Sequence, residues 1–174
     1  MKRREFLGIA GLPVVALVVP ATIWGKTMTT SKETTDIAKL EKSKDEWREL
    51  LDRERYRILF EEGTERAFTS PLNEEKRAGT YICAACNLPL FESSTKFDSR
   101  TGWPSFYQAI DGHIDTSRDF KLIYPRTEYH CIRCGGHQGH VFNDGPQPTR
   151  QRWCNNGLAL NFVPEGEELP PLRK

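Results

Sequence analysis

The chain has 174 residues, 37% of them hydrophobic and 28% charged, enough apolar material for one core. Its 25 Lys+Arg against 24 Asp+Glu leave a net charge of +1. That balance excludes a nucleic-acid partner, because polyanion binders carry a clear basic excess.

Residues 1–25, MKRREFLGIAGLPVVALVVPATIWG, start basic, run apolar from Phe6 to Trp24 and hold no acid after Glu5. That is the layout of an export signal. Arg3-Arg4 followed by Glu5-Phe6-Leu7 resembles the twin-arginine type, which carries already folded proteins across a bacterial inner membrane. The alternative is an ordinary signal or a membrane anchor. Gly8, Gly11, Pro13 and Pro20 weaken it as a spanning helix, which wants roughly 20 good apolar residues. No clean Ala-x-Ala site follows, so cleavage is left open. Without the four charged residues of this segment the net charge is near −1. The working part is expected in an extracytoplasmic space, periplasmic or anchored facing it.

Residues 26–44 are polar and rich in Thr and Lys, a tether with a helical turn around Ile37 to Leu40. The working domain is expected over residues 45–174. In it, Trp47, Leu50, Leu51, Tyr56, Leu59 and Phe60 recur mostly at three- and four-residue spacings, which predicts one or two short helices between residues 45 and 62. Gly63 suits their end. After Pro71 the helical period is lost. Short β-prone runs, GTYIC, FYQAI, FKLIYP, GHVFND and LALNFV, alternate with Gly, Pro, Asn and Asp. The body is therefore read as mainly β and mostly antiparallel, with a helical preface.

Four of the five cysteines form two Cys-x-x-Cys turns, Cys83/Cys86 and Cys131/Cys134. Such turns can present four thiolates to a structural Zn²⁺ at about 2.3 Å per sulfur. Disulfides, or a thioredoxin-like dithiol, are the competing readings in an exported protein. The dithiol expects a βαβ setting that is not visible here, and the doubled motif favours zinc. The gap between the turns exceeds the roughly 15–20 residues of a simple zinc ribbon, so the ion would clamp the ends of a sizeable β insertion.

Cys154 is then left as a thiol. Alone, a free cysteine reads as a small buried hydrophobe. Arg152, two positions upstream, would share its face of a strand, and a guanidinium there favours the thiolate, the nucleophilic form. His137 and His140, in GGHQGHVFNDGP, could supply a proton to an oxygen leaving group. Zinc ligation by His137 is the other reading, discounted because four thiolates already fill a tetrahedron. Trp103, in TGWPSF, is either a core plug or one wall of an apolar pocket.

Together CAAC, TGWPSF, CIRC, GGHQGHVFNDGPQPT and RWCNNGLALNF, with GTERAF at Gly63 to Phe68, resemble the methionine-R-sulfoxide reductase family, the B type. The resemblance runs from about Trp47 to Val163. It implies two antiparallel β-sheets with short peripheral helices and a structural zinc site of four cysteines. By position it makes Cys154 the nucleophile and Cys83, Cys86, Cys131 and Cys134 the ligands of one structural zinc ion. It sets Trp103 against the substrate methyl group, with Phe142 as a second substrate contact. His137, His140 and Asn156 would surround the sulfoxide oxygen, supported by Asp144 and Arg152. The implied activity is reduction of methionine-R-sulfoxide in proteins or peptides, with the free form left open. It would pass through a sulfenic acid on Cys154 that a thioredoxin-like or low-molecular-weight thiol reduces.

One departure matters. Many members of that family carry a resolving cysteine where this chain has Thr101, so a one-cysteine mechanism is expected, in a monomer. Two other functions compete: a non-catalytic zinc-stabilised β module that binds a protein partner, and a zinc enzyme acting on glutathione adducts. The first leaves Cys154, His137 and His140 without a task. The second needs an open coordination position that four sulfurs would deny.

Overall fold

The computed structural model describes residues 37–120 and 124–174. Residues 1–36 lie outside the described part, and with them the expected export signal and most of the tether. Ile37 and Leu40 form no helical turn. They pack against the core, and Leu40 N–H donates to the Arg133 carbonyl at 2.6 Å.

Two short helices follow, α1 (Lys44–Leu50) and α2 (Arg53–Phe60). Ser43 caps α1 by accepting from Glu46 N–H, while the Glu46 carboxylate accepts from Ser43 N–H. Asp52 caps α2 through Arg55 N–H at 2.9 Å. The left-handed residue ending α2 is Glu62 (φ 51), not Gly63. Gly63 N–H instead closes the end on the Arg57 carbonyl at 3.0 Å. Trp47, Tyr56, Ile58 and Leu59 bury the inner face of the pair.

Among the described residues nine strands then build two antiparallel sheets: β1 (Gly79–Cys83), β2 (Pro89–Glu92), β3 (Lys96–Phe97), β4 (Ser105–Phe106), β5 (Ile114–Asp119), β6 (Arg126–Cys131), β7 (His137–Phe142), β8 (Arg152–Asn155) and β9 (Leu160–Pro164). The small sheet has the order β2-β1-β9 and the large one β3-β4-β8-β7-β6-β5. This is the mainly-β, two-sheet architecture expected. An aromatic cluster joins the sheets: Phe91 stacks on Phe106 with centroids 4.2 Å apart, and Tyr81 meets Phe106 edge-on at 4.9 Å.

GTYIC, GHVFND and LALNFV lie on β1, β7 and β9. FYQAI keeps only Phe106 in a strand. FKLIYP is no strand where it is described: β5 stops at Asp119, and residues 121–123 lie outside the described part. The hairpin there comes from IDTSRD and RTEYHC, whose outer strand is too polar to show an apolar alternation.

Register matters most on β7. Tyr129 pairs with Gly139 and His130 with His137, so Gln138 is an extra residue, a bulge. Without it, His137 and His140 would point to opposite faces, being three apart in a strand. With it, they share one. Gly139, opposite Asn155 on β8, lets the strands close: a Cβ there would fall 1.9 Å from the Cys154 carbonyl oxygen. Gly139→Ala is therefore expected to cost at least about 2 kcal/mol. The measurement is the urea midpoint, which should fall with an unchanged slope.

Candidate active site

Cys83 ends β1, Cys131 ends β6, and Cys86 and Cys134 close the two turns. The four sulfurs lie within 4.8 Å of one another. Cys83–Cys134 is 3.7 Å and Cys86–Cys131 3.5 Å, while a tetrahedron with about 2.3 Å bonds has edges of about 3.8 Å. The turns are near copies. Asn87 N–H bonds the Cys83 carbonyl at 2.9 Å, with Asn87 at φ 63; Gly135 N–H bonds the Cys131 carbonyl at 2.9 Å, with Gly135 at φ 70. In each, the first cysteine's N–H bonds a carbonyl five residues on, Leu88 or Gly136. The donor set, its spacing and its burial fit one tetrahedral ion.

Cys154 stands on β8, directly opposite His140 of β7 on one side and Ser105 of β4 on the other. Directly opposed residues share a face of the sheet, so the sulfur and the imidazole look the same way. Both line a cavity of about 100 Å³, together with Trp103, Phe142, Asn156, Thr64 and Arg126. Trp103 is thus a pocket wall; its Nε1 donates to the Glu65 carbonyl at 3.2 Å.

Arg152 shares the face, as its i, i+2 spacing requires. Its guanidinium donates two hydrogen bonds to the Asp144 carboxylate, at 2.8 and 2.9 Å, and lies 4.3 Å from the centre of the Phe142 ring. Burial opposes its charge, but Asp144 and the Cys154 sulfur hold its pKa above the usual value. The Cys154 thiol departs from the sequence expectation. Burial pushes its pKa up, and the pull of Arg152 and of the Thr101 hydroxyl does not cancel that rise.

His140 is also shifted by burial, downward, which favours the neutral ring. Its Nε2 lies 2.8 Å from Asp119 Oδ2, and that oxygen also accepts from Arg126 at 2.6 Å. His137 does not line the cavity. It sits behind His140, ring centroids 5.6 Å apart, with Nδ1 2.5 Å from Glu128 Oε1. Asn156 is buried. Its Oδ1 accepts from Glu65 N–H at 3.1 Å and its Nδ2 donates to the Gln138 carbonyl at 3.1 Å.

The SelR domain matches residues 51–164 of the chain. The chain belongs to the SelR family. It is 51% identical over 125 residues to the peptide methionine sulfoxide reductase MsrB of Leptospira interrogans, covering 71% of this chain and 95% of that protein. It is 48% identical over 129 residues to the MsrB of Methanosarcina barkeri, covering 74% and 91%. It is 50% identical over 121 residues to the chloroplastic peptide methionine sulfoxide reductase B1 of Arabidopsis thaliana, covering 69% and 60%.

Several SelR-domain residues of the site carry no motif of their own. Glu65 is buried, and its carboxylate accepts from Gly157 N–H at 2.5 Å and Leu158 N–H at 3.0 Å. Those are the free amides of the 3₁₀ turn Gly157–Ala159, which has no side-chain cap from Asn156. Burial pushes the Glu65 carboxyl up while both amides pull it down. Through its backbone it also meets Trp103 and Asn156, so one residue joins two walls. Asp119, Arg126 and Glu128 arrive across the sheet. Only the GTERAF stretch gave a signal in the sequence, and that was for Glu65.

Thiol titration tests the division among the sulfurs. Metal-loaded protein is expected to give one reactive thiol, and chelation in denaturant all five cysteines of the chain. More than one fast-reacting thiol in the folded protein would contradict it.

Proposed function

We propose that this chain is a peptide-methionine (R)-S-oxide reductase, turning methionine-R-sulfoxide in proteins and peptides into methionine. The observation that carries the reading is the direct opposition of Cys154 and His140 on one face, under a tryptophan wall. It is supported by relatives about half identical to this chain whose names state peptide methionine sulfoxide reductase. A partner-binding module would have no use for a lone sulfur lining a pocket.

The chemistry follows from two opposite shifts with one cause. Burial keeps the Cys154 proton on sulfur and keeps His140 neutral. A neutral imidazole beside a neutral thiol can act as its base. His140 takes the thiol proton, Asp119 steadies the resulting imidazolium, and Cys154 Sγ attacks the electrophilic sulfoxide sulfur. The same proton passes to the sulfoxide oxygen, which leaves methionine and stays on Cys154 as a sulfenic acid. Thiol plus sulfoxide gives sulfenic acid plus thioether, so atoms and electrons balance. Arg152 and the Thr101 hydroxyl stabilise sulfur as its charge develops. Trp103 and Phe142 hold the methyl group, and Asn156 holds the oxygen side. His137 backs His140, and Asp144 anchors Arg152.

Among the described residues the four cysteines other than Cys154 belong to the cluster, and Thr101 stands at the Cys154 sulfur. The sulfenic acid is therefore reduced by two equivalents of an outside thiol, thioredoxin-like or of low molecular weight, giving water and that thiol's disulfide. The ion held by Cys83, Cys86, Cys131 and Cys134 is zinc in this reading, and its role is to hold the fold together. The enzyme acts as a monomer, exported folded to an extracytoplasmic space by the signal in residues 1–25.

Cys154→Ser is expected to abolish turnover while leaving the melting transition in place. Wild type oxidised with substrate should gain one oxygen on Cys154 by mass spectrometry, and an internal Cys154 disulfide would contradict the one-cysteine route. A pH profile tests the electrostatics. The guanidinium pulls the Cys154 pKa down, so Arg152→Gln removes that pull. The rising limb of iodoacetamide alkylation is expected to move to higher pH in the variant, and an unmoved limb would remove Arg152 from the scheme.

A further inference from the structure

The cavity above Cys154 is too small for a whole substrate residue. At about 100 Å³ it falls well below the roughly 300–1,000 Å³ of small-molecule pockets, which suits the methylsulfinyl end. Whatever the sulfoxide is attached to must lie on the rim.

Trp103 also lines a second depression, of about 300 Å³, so the two spaces share a wall. Phe68 stands on the rim of this groove with 74% of its surface exposed. Its backbone is in the left-handed region (φ 65), a genuine outlier for a bulky residue. The strain is held in place. Phe68 N–H donates to the Gly102 carbonyl at 2.8 Å, and a Cβ on Gly102 (φ +91) would fall 2.8 Å from Phe68 N and Cδ2. The ring thus rests on the residue before Trp103. Arg100, also left-handed (φ 59), lines the same groove. Strain sustained at a site of this kind is a mark of function, and a ring already fixed loses little freedom on binding.

We propose that this groove is the docking surface for the polypeptide flanking the oxidised methionine, with an apolar neighbour of that methionine laid on Phe68. The proposal rests on the reductase reading and adds what selects protein over free substrate. An extended peptide is the occupant because the groove begins where the pocket wall ends, so chain leaving the pocket past Trp103 runs into it. The charged rim is mixed, Lys96 and Arg100 with Asp98 among it, so it offers hydrogen-bond partners to a backbone without selecting a charged sequence.

The test uses the metal-loaded full chain and Phe68→Asn, since asparagine tolerates the left-handed backbone. Two substrates are compared: N-acetylmethionine-R-sulfoxide, and a short peptide with leucine on both sides of the sulfoxide. The expected result is a KM for the peptide raised about tenfold with kcat kept, the scale of one aromatic contact. On the acetylated amino acid the change should stay below about twofold. Equal losses on both substrates, or no change on either, would overturn the docking surface. So would a change in sedimenting mass, which would make the patch a contact between copies of the chain. Wild type inactive on both substrates would instead sink the reductase reading.

Discussion

Four sulfurs tie the end of a strand in the small sheet to the end of a strand in the large one, and the geometry of the rest follows from that tie. Cys83 closes β1 and Cys131 closes β6, so an ion held between them fixes the two sheets to each other. The second turn leads directly into β7. Within four residues of Cys134 the chain passes Gly136, packed on Leu59, and His137, and reaches the bulge at Gln138. Gln138 is fully buried. Its Nε2 lies 3.5 Å from Cys83 Sγ, its carbonyl accepts from both Asn156 N–H and Asn156 Nδ2, and its Oε1 is 3.5 Å from Asn155 Nδ2. One side chain therefore runs from the metal cluster to the residues that follow the nucleophile. In the proposed reading the ion takes no part in the reaction, and it would act on Cys154 only through this framework.

The sequence carries the parts of this arrangement that are local. The doubled Cys-x-x-Cys turns, the short helices, β1, β7 and β9, and the shared face of Arg152 and Cys154 all follow from spacing alone. What it does not carry is set by pairing across the sheet. Asp119 reaches His140 because β5 pairs β6 and β6 pairs β7; no interval along the chain announces it. The bulge is equally silent: His137 and His140, three apart, read as opposite faces of a strand until Gln138 is counted out. The α2 end shows the same limit at small scale, where glycine chemistry pointed to Gly63 and the left-handed bend fell on Glu62.

The electrostatics of the site is hidden from the sequence for a related reason. A guanidinium two residues away is visible in the sequence, whereas burial depends on what the fold stacks over the sulfur. Burial turns out to dominate, and it acts on both partners at once, raising the acid and lowering the base. Both shifts favour the uncharged forms, and in the proposed mechanism the proton moves between them only when substrate is there to receive it. Such a resting site keeps a weak nucleophile until substrate arrives, which suits a sulfur that must coexist with oxidants.

The placement of the reacting groups follows the same logic. Cys154 and His140 sit on β8 and β7, interior strands of a six-stranded sheet with neighbours on both sides. Hydrogen-bond ladders on either edge hold their Cα positions, so strand pairing keeps the two side chains opposite each other on one face. Thr64 and Trp103, which line the cavity, and Phe68, on the neighbouring groove, lie on irregular segments between elements. Single contacts place two of them: Trp103 Nε1 donates to the Glu65 carbonyl, and Phe68 N–H donates to the Gly102 carbonyl. Bond-making atoms need fractions of an ångström and are given a sheet, while recognising atoms need reach and are given loops with individual staples. That division lets the outer surface vary in what it accepts while the register that sets Cys154 opposite His140 stays the same.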